Sequence, residues 1–314
     1  LALIDASGLR RLRAVGRVAE LTAQVDETQA AGATGIAHTR WATHGVPCER
    51  NAHPHISDGL AVVHNGIIEN HEELRARLQE TGFVFTSDTD TEVVAHLIAF
   101  ELRNQPDFFA AVRAAIAQLQ GAYAIAALRE AEPERIVVAR EGSPLLLGLA
   151  EHGNYAASDA SALIQVTRRI VYLENGDCAE LSRTGYRITR VDGTPVERPV
   201  SESHLSADAV ELGQYRHYMQ KEIFEQPVAL ANTLEMLATA RSIQPGLFGA
   251  DCAAVLDGVR QVLIIACGTS YHAGLVARYW LEEIAGVPCT VEVASEYRYR
   301  ESVSDPDTLV VTLS

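Results

Sequence analysis

At 314 residues, with 47% hydrophobic and 21% charged residues, the chain has the length of one large or two ordinary domains and the make-up of a globular protein with a substantial core. Its net charge of −15 argues against a nucleic-acid or anionic-membrane surface, while local basic sites for phosphorylated metabolites stay open. Five widely spaced cysteines without a Cys-x-x-Cys pair fit reduced thiols in the cytoplasm, and no apolar run has the length of a membrane span.

Along the chain, 67–82 opens a helix: Asn70 can cap it, Glu73 sits at the capping-box position and Gly82 ends it. Helical spacing continues over 91–103 and again over 109–119. Strand runs follow at 122–128, 136–140, 145–149, 170–173 and 178–181. Asn175-Gly176 and Asp192-Gly193 are tight-turn signals that predict antiparallel pairing of their flanking strands. Antiparallel sheets layered with helices make an α+β first domain, 1–200. A polar stretch begins a linker and connecting helices over 201–240, with helices at 215–224 and 228–240 broken near Pro227. The last domain is 241–314, and from Gln261 the rhythm becomes strand, loop, helix, strand: 262–266, then Cys267-Gly268-Thr269-Ser270, a helix to 285, and strands at 290–293 and 309–313. That is the first part of an α/β doubly wound parallel sheet. A start at Leu1 without Met, and an end inside Leu309-Val310-Val311-Thr312-Leu313-Ser314, predict a chain truncated at both ends.

Four short segments carry the chemistry. They are His38-Thr39-Arg40-Trp41-Ala42-Thr43-His44-Gly45, Asn51-Ala52-His53-Pro54-His55, His64-Asn65-Gly66-Ile67 and Ser87-Asp88-Thr89-Asp90-Thr91-Glu92. The planar fork of Arg40 suits a carboxylate, here the α-carboxylate of an amino acid, with Thr43 and His44 as added donors. Asp90 suits the α-ammonium. Asn65-Gly66, placed at a strand-to-helix turn, offers an amide and a backbone N–H that can converge on one oxyanion. Each has a plain alternative: Arg40 in a surface ion pair, Asn65-Gly66 as a simple turn, Asp90 as a helix cap. Their joint occurrence in order is what points to a site. Six of the eleven histidines fall between His38 and His71, yet no Cys or carboxylate stands at a usual ligand spacing, so no metal is expected and the imidazoles are assigned to hydrogen bonds with strand and turn backbones.

These segments resemble the glutaminase domain of N-terminal-nucleophile (class II) glutamine amidotransferases and, within that class, the family of isomerising glutamine–fructose-6-phosphate aminotransferases. The resemblance implies an N-terminal-nucleophile hydrolase-like fold. Arg40, Thr43 and His44 would hold the glutamine carboxylate, Asp90 its ammonium and Asn65 with Gly66 the oxyanion. Trp41 would gate ammonia between two sites. The family's nucleophile is a cysteine at the mature N-terminus whose own amine is the base. That segment would precede Leu1, and Cys48, inside the chain, cannot supply such an amine. The chain as written is therefore expected to lack glutaminase activity.

Ile264-Ile265-Ala266-Cys267-Gly268-Thr269-Ser270-Tyr271 resembles the first phosphate loop of sugar-isomerase (SIS) domains. It lacks the Gly-Lys-Ser/Thr of nucleotide loops and the Gly-x-Gly-x-x-Gly of dinucleotide folds. Gly268, Thr269 and Ser270 would bind sugar phosphate, and Ser314 matches the start of a second serine-rich loop. Tyr215-Arg216-His217-Tyr218-Met219-Gln220-Lys221 and Ala294-Ser295-Glu296-Tyr297-Arg298 are similar to the same family. The resemblance implies amide transfer from glutamine to fructose 6-phosphate with isomerisation, giving glucosamine 6-phosphate and glutamate, the first step of amino-sugar synthesis. It implies a cytoplasmic homo-oligomer with no cofactor and no nucleic-acid or membrane partner. The alternatives are a non-catalytic sugar-phosphate or amino-acid binding protein and another class II amidotransferase.

Overall fold

The computed structural model describes residues 1–40, 42–105, 107–203, 212–235, 252–303 and 305–313. The chain divides into two compact units, Leu1–Glu211 and Leu212–Ser314. The first unit begins with β1 (Ala2–Asp5), β2 (Gly8–Arg11), α1 (Val18–Thr28) and β3 (Thr34–Ile36). Then come β4 (His55–Ser57), β5 (Leu60–Ile68), α2 (His71–Glu80), α3 (Asp90–Leu102) and α4 (Phe108–Ile116). A run of strands completes it: β6 (Gly121–Arg129), β7 (Ile136–Glu141), β8 (Leu146–Ala150), β9 (Gly153–Ala157), β10 (Arg169–Tyr172), β11 (Asp177–Leu181), β12 (Tyr186–Arg190) and β13 (Val200–Glu202).

A six-stranded antiparallel sheet, ordered β12-β11-β7-β6-β5-β4, is the centre of this unit. Strand alternation sends Leu60, Val62, Ile125, Val137 and Cys178 to one face, against Leu74, Leu78, Val93, Leu97, Phe108 and Val112 of the helices. The opposite face is covered in two parts. Ala124, Val138, Ala179 and Leu181 meet Leu147, Leu149 and Val171 of the β13-β10-β8-β9 sheet and Leu173 just after β10. Ala61, Val63 and Leu128 meet Ala2, Ile4 and Ile36 of the β2-β1-β3 sheet. Because both faces are buried, the central strands read as nearly continuous apolar runs. Helix α3 is buried from Asp90 to Ala99, so it shows no amphipathic stripe either.

Three local expectations change here. Asn70 stands at the N-cap of α2 but makes no capping bond; its amide instead donates to the Gln118 carbonyl and accepts from Gln120 N–H, tying α2 to the entry of β6. Asn175-Gly176 closes no hairpin, since β10 and β11 belong to different sheets; the Asn175 side chain accepts from Gly142 N–H and the turn carries the chain across. Asn65-Gly66 lies inside β5, paired with Ala124 and Tyr123 of β6, and not at a strand-to-helix turn. Asp192-Gly193 does fold the chain back, with Thr189 bridging Pro195 antiparallel.

The second unit holds α5 (Tyr218–Glu235), α6 (Cys252–Gly258), β14 (Gln261–Ala266), α7 (Gly268–Trp280), β15 (Cys289–Val293), α8 (Ala294–Tyr299) and β16 (Thr308–Leu313). Helix α5 runs through Pro227, where a break was expected. Pro removes one N–H donor, and Ile223, one turn earlier, is exposed, so water is available to its carbonyl. The far end of the second helix expected in this region, 236–240, lies outside the described residues. Beyond Trp280, a π-helical turn, Leu281–Ala285, ends at Gly286 in the left-handed region. The sheet is parallel with order β15-β14-β16, so the chain crosses first to one side of β14 and then to the other. The reversal creates a switch point at the carboxyl end of β14, the usual place for a ligand in such sheets.

Candidate active site

Four segments of the first unit meet around a cavity of about 320 Å³. The loop leaving β3 supplies His38, Thr39, Arg40 and Thr43; β5 supplies His64, Asn65, Gly66 and Ile67; the start of α3 and the residue before it supply Thr89, Asp90 and Thr91; His53 closes the set. None of the described cysteines lines this cavity. Cys48 instead precedes the short helical turn Glu49–Asn51.

Asp90 is 3% exposed. One carboxylate oxygen accepts from Ile68 N–H at 2.9 Å, and the two oxygens stand 3.9 Å from His44 Nδ1 and His64 Nδ1. Among the described residues no lysine or arginine nitrogen lies within 4 Å of it. Capping of α3 falls to Thr89, whose hydroxyl accepts from Glu92 N–H at 3.3 Å, so Asp90 is not spent as a cap. A buried anion without a fixed cation is a strong attractor for an ammonium group.

Gly66 has φ +127°, and a Cβ there would run into the Ala122 carbonyl of β6. Glycine is thus required for β5 to pair closely while Asn65, Gly66 and Ile67 stay exposed at its end. Arg40 lines the cavity with its guanidinium engaged on the following loop: it donates to the carbonyls of His44, Gly45 (3.0 Å) and Val46 (3.4 Å). Asn51, fully buried, braces the same loop, donating to Val46 O at 3.0 Å while its own oxygen accepts from Asp88 N–H at 3.0 Å. Glu92 holds the other rim. Its carboxylate accepts from the N–H and hydroxyl of both Thr86 and Ser87 at 2.7–2.8 Å. Burial acts to raise its pKa, but the Ser87 and Thr86 hydrogen bonds outweigh it and leave the group lowered.

The histidines form a packed cluster bonded mainly to hydroxyls. His64 Nδ1 and His53 Nε2 each meet Thr91 Oγ1 at 3.1 Å, and His55 Nε2 meets Thr89 Oγ1 at 3.0 Å. His38 stacks on His53 with ring centres 4.2 Å apart and reaches Asn65 Oδ1 at 2.7 Å. Burial lowers the pKa of His38 and His53, and lowers His55 and His64 to about 4, so these rings are neutral at pH 7. Among the described residues no group of three or more His, Cys, Asp or Glu is placed to hold a metal ion.

Of the residues singled out in the sequence, Arg40, Thr43, Asn65, Gly66 and Asp90 converge on one cavity. His44 stands at its margin beside Asp90, with its ring edge-on to His71 at 4.7 Å. Trp41 lies outside the described residues. The bracing roles of Asn51, Thr89, Thr91 and His53 were not read from sequence; the only signal was the density of histidines around them. In the second unit, Gly268, Thr269 and Ser270 open α7 at the switch point, with Gly268 at φ +57° and Cys267 and Thr269 exposed. Backbone N–H groups at such a helix start favour an anion. Ser314 lies outside the described residues.

Comparison with known proteins agrees with this two-unit picture. Residues 38–165 match a glutamine amidotransferase domain family and residues 256–314 a SIS domain family. The isomerising glutamine–fructose-6-phosphate aminotransferase of Vibrio parahaemolyticus is 54% identical over 314 residues, all of this chain and 52% of that protein. The corresponding protein of Xylella fastidiosa is 51% identical over the same span, again 52% of its length. The chain thus spans about half the length of the curated relatives it matches. Among solved structures, a glutamine phosphoribosylpyrophosphate amidotransferase from B. subtilis aligns with a TM-score of 0.53 at 20% identity, covering 92% of this chain and 58% of that one, a likeness of fold.

Proposed function

On these matches we propose that the chain is part of an isomerising glutamine–fructose-6-phosphate aminotransferase, and that the whole protein moves the amide nitrogen of glutamine to fructose 6-phosphate, giving glucosamine 6-phosphate and glutamate. One observation carries the first half: Asp90, buried without a Lys or Arg partner among the described residues, shares a cavity with Asn65, Gly66 and Arg40. Asp90 takes the α-ammonium of glutamine. Arg40 and Thr43 take its α-carboxylate, the guanidinium exchanging loop carbonyls for a charged acceptor that binds it more strongly, with His44 as a further donor. The side-chain amide then points at Asn65 and Gly66, whose donors stabilise the oxyanion formed on attack.

The attacking group is the cysteine thiol, with its own α-amine as base, that the resemblance places ahead of Leu1. Ammonia passes to the sugar unit, where Gly268, Thr269 and Ser270 hold the phosphate of fructose 6-phosphate at the start of α7. Trp41 and Ser314 keep the gate and phosphate-loop roles that the resemblance implies for them. A phosphoribosyl acceptor is disfavoured by the SIS-domain match in the second unit. The cytoplasmic location and the homo-oligomeric state belong to the same proposal. None of the described helices is long and apolar enough to cross a membrane.

The deciding experiment incubates the whole protein with glutamine and fructose 6-phosphate and measures glutamate and glucosamine 6-phosphate. Equimolar formation of both is expected. Formation of neither would overturn the proposal, and glutamate without amino sugar would overturn its second half.

A further inference from the structure

Resting on that amidotransferase reading, we infer that His38 is a positioning residue for Asn65: its imidazole fixes the Asn65 amide with the NH2 group turned into the cavity. Asn65 lies in an exposed stretch at the end of β5, where nothing in strand geometry orients a side-chain amide. Either end of that amide can face the cavity, and only one presents a donor to an oxyanion. The Asn65 oxygen accepts from His38 Nε2 at 2.7 Å, which takes that oxygen away from the cavity and leaves the NH2 group to line it.

This arrangement requires the proton of His38 to sit on Nε2, because an amide oxygen has only lone pairs to offer. It also requires the ring to be immobile. His38 lies on the loop after β3, and the stack on His53 holds its plane, with ring centres 4.2 Å apart and planes at 26°. His53 is buried and is held in turn by Thr91 Oγ1 at 3.1 Å, the same hydroxyl that meets His64 Nδ1. His64 precedes Asn65 in β5. A closed loop of contacts thus runs from Asn65 through His38, His53 and Thr91 back to His64. The first turn of α3 consequently does two things at once. Asp90 faces the cavity, while Thr91 beside it holds the histidines that orient Asn65. An ammonium site and an amide donor are kept in register by one helix end.

The test is a double-mutant cycle in the whole protein, reading glutamate release from glutamine. Asn65→Ala is expected to lower kcat by roughly a hundred- to a thousandfold, the range for losing one oxyanion donor. His38→Ala, which leaves the donor present but loosely held, is expected to lower kcat by about tenfold with KM for glutamine within about twofold. His38→Gln, which keeps an N–H directed at the Asn65 oxygen, should recover most of that loss. In the Asn65→Ala background, His38→Ala should cost less than about twofold more, because it acts only through Asn65. A general structural role predicts the opposite: similar losses for His38→Ala in both backgrounds, accompanied by a raised KM. Equal losses in both backgrounds, or a His38→Ala enzyme with wild-type kcat, would overturn the inference while leaving the amidotransferase reading in place. A wild-type protein that releases no glutamate at all would remove that reading, and this inference with it.

Discussion

In the first unit, the groups around the cavity are held from several sides by residues distant in sequence. Asp90 is bonded to Ile68 N–H, Asn65 to His38, and Asn51 to Asp88, contacts that span 22 to 37 positions. In the second unit, Gly268, Thr269 and Ser270 are consecutive, follow β14 directly and stand where the strand order reverses. One cavity is assembled from side chains fixed by tertiary contacts; the other candidate site uses a backbone geometry that any strand-to-helix passage at a switch point supplies. A zwitterion needs two opposite charges and an amide recognised at once, which demands convergence. A phosphate needs only N–H groups and hydroxyls, which a helix start already has.

That difference can be broken most forcefully by acid. His55 and His64 have pKa values lowered to about 4 by burial, against about 6.5 in an unfolded chain, so the unfolded state binds protons first. Stability from these neutral rings is complete above pH 6.5 and declines as pH falls toward 4, by about 1.4 kcal/mol per pH unit for each ring. The first unit should therefore lose on the order of 5 kcal/mol by pH 4.5. Chemical denaturation followed at several pH values should show its transition collapsing, and a first-unit midpoint unchanged from pH 7 to 4.5 would contradict the neutral buried cluster.

Glycine replacements sharpen the contrast. Gly66→Ala drives a methyl group into the Ala122 carbonyl at a positive φ, whereas Gly268→Ala meets nothing within 4 Å. We expect the first to cost roughly 3 kcal/mol and to abolish glutamate release in the whole protein. The second should cost about 1 kcal/mol, the left-handed backbone alone. Urea midpoints of the two variants check both, and equal losses would remove the distinction.

Asp90→Asn keeps the size of the side chain and an acceptor for Ile68 N–H while removing the charge. Glutamine binding, measured by calorimetry on the whole protein, should weaken roughly a hundredfold, with little change in melting temperature. A smaller effect is expected in the second unit: Thr269→Ala and Ser270→Ala should each weaken fructose 6-phosphate binding by about tenfold, because backbone N–H groups remain. A larger loss from either would mean that the side chains, not the helix start, hold the phosphate.

Much of this was legible in the sequence, for reasons that can be named. The apolar run Val262-Leu263-Ile264-Ile265-Ala266 reads as a buried parallel strand, and it forms β14 with Val262, Ile264, Ile265 and Ala266 buried. Arg40, Asn65, Gly66 and Asp90 stood out because their charge and shape suit one ligand, and the fold does bring them to one cavity. Asn70 misled because a capping residue and a residue bonding a distant loop look alike until the loop from α4 to β6 is in place. Asn175-Gly176 misled because turn chemistry specifies the bend and not the partner of the strand that follows.

By itself, the sequence determined the type of most helices and strands between residues 67 and 181 and around β14, the order of the two units and the chemistry of the residues offered to ligands, since propensity, periodicity and functional groups are local properties. Tertiary structure alone decided which sheet covers each face of β5 and β6, which threonine hydroxyl meets which imidazole, and which carboxylate stays without a cation within reach among the described residues. Those outcomes depend on groups many residues apart being desolvated together, and no local pattern encodes the partner that burial will select.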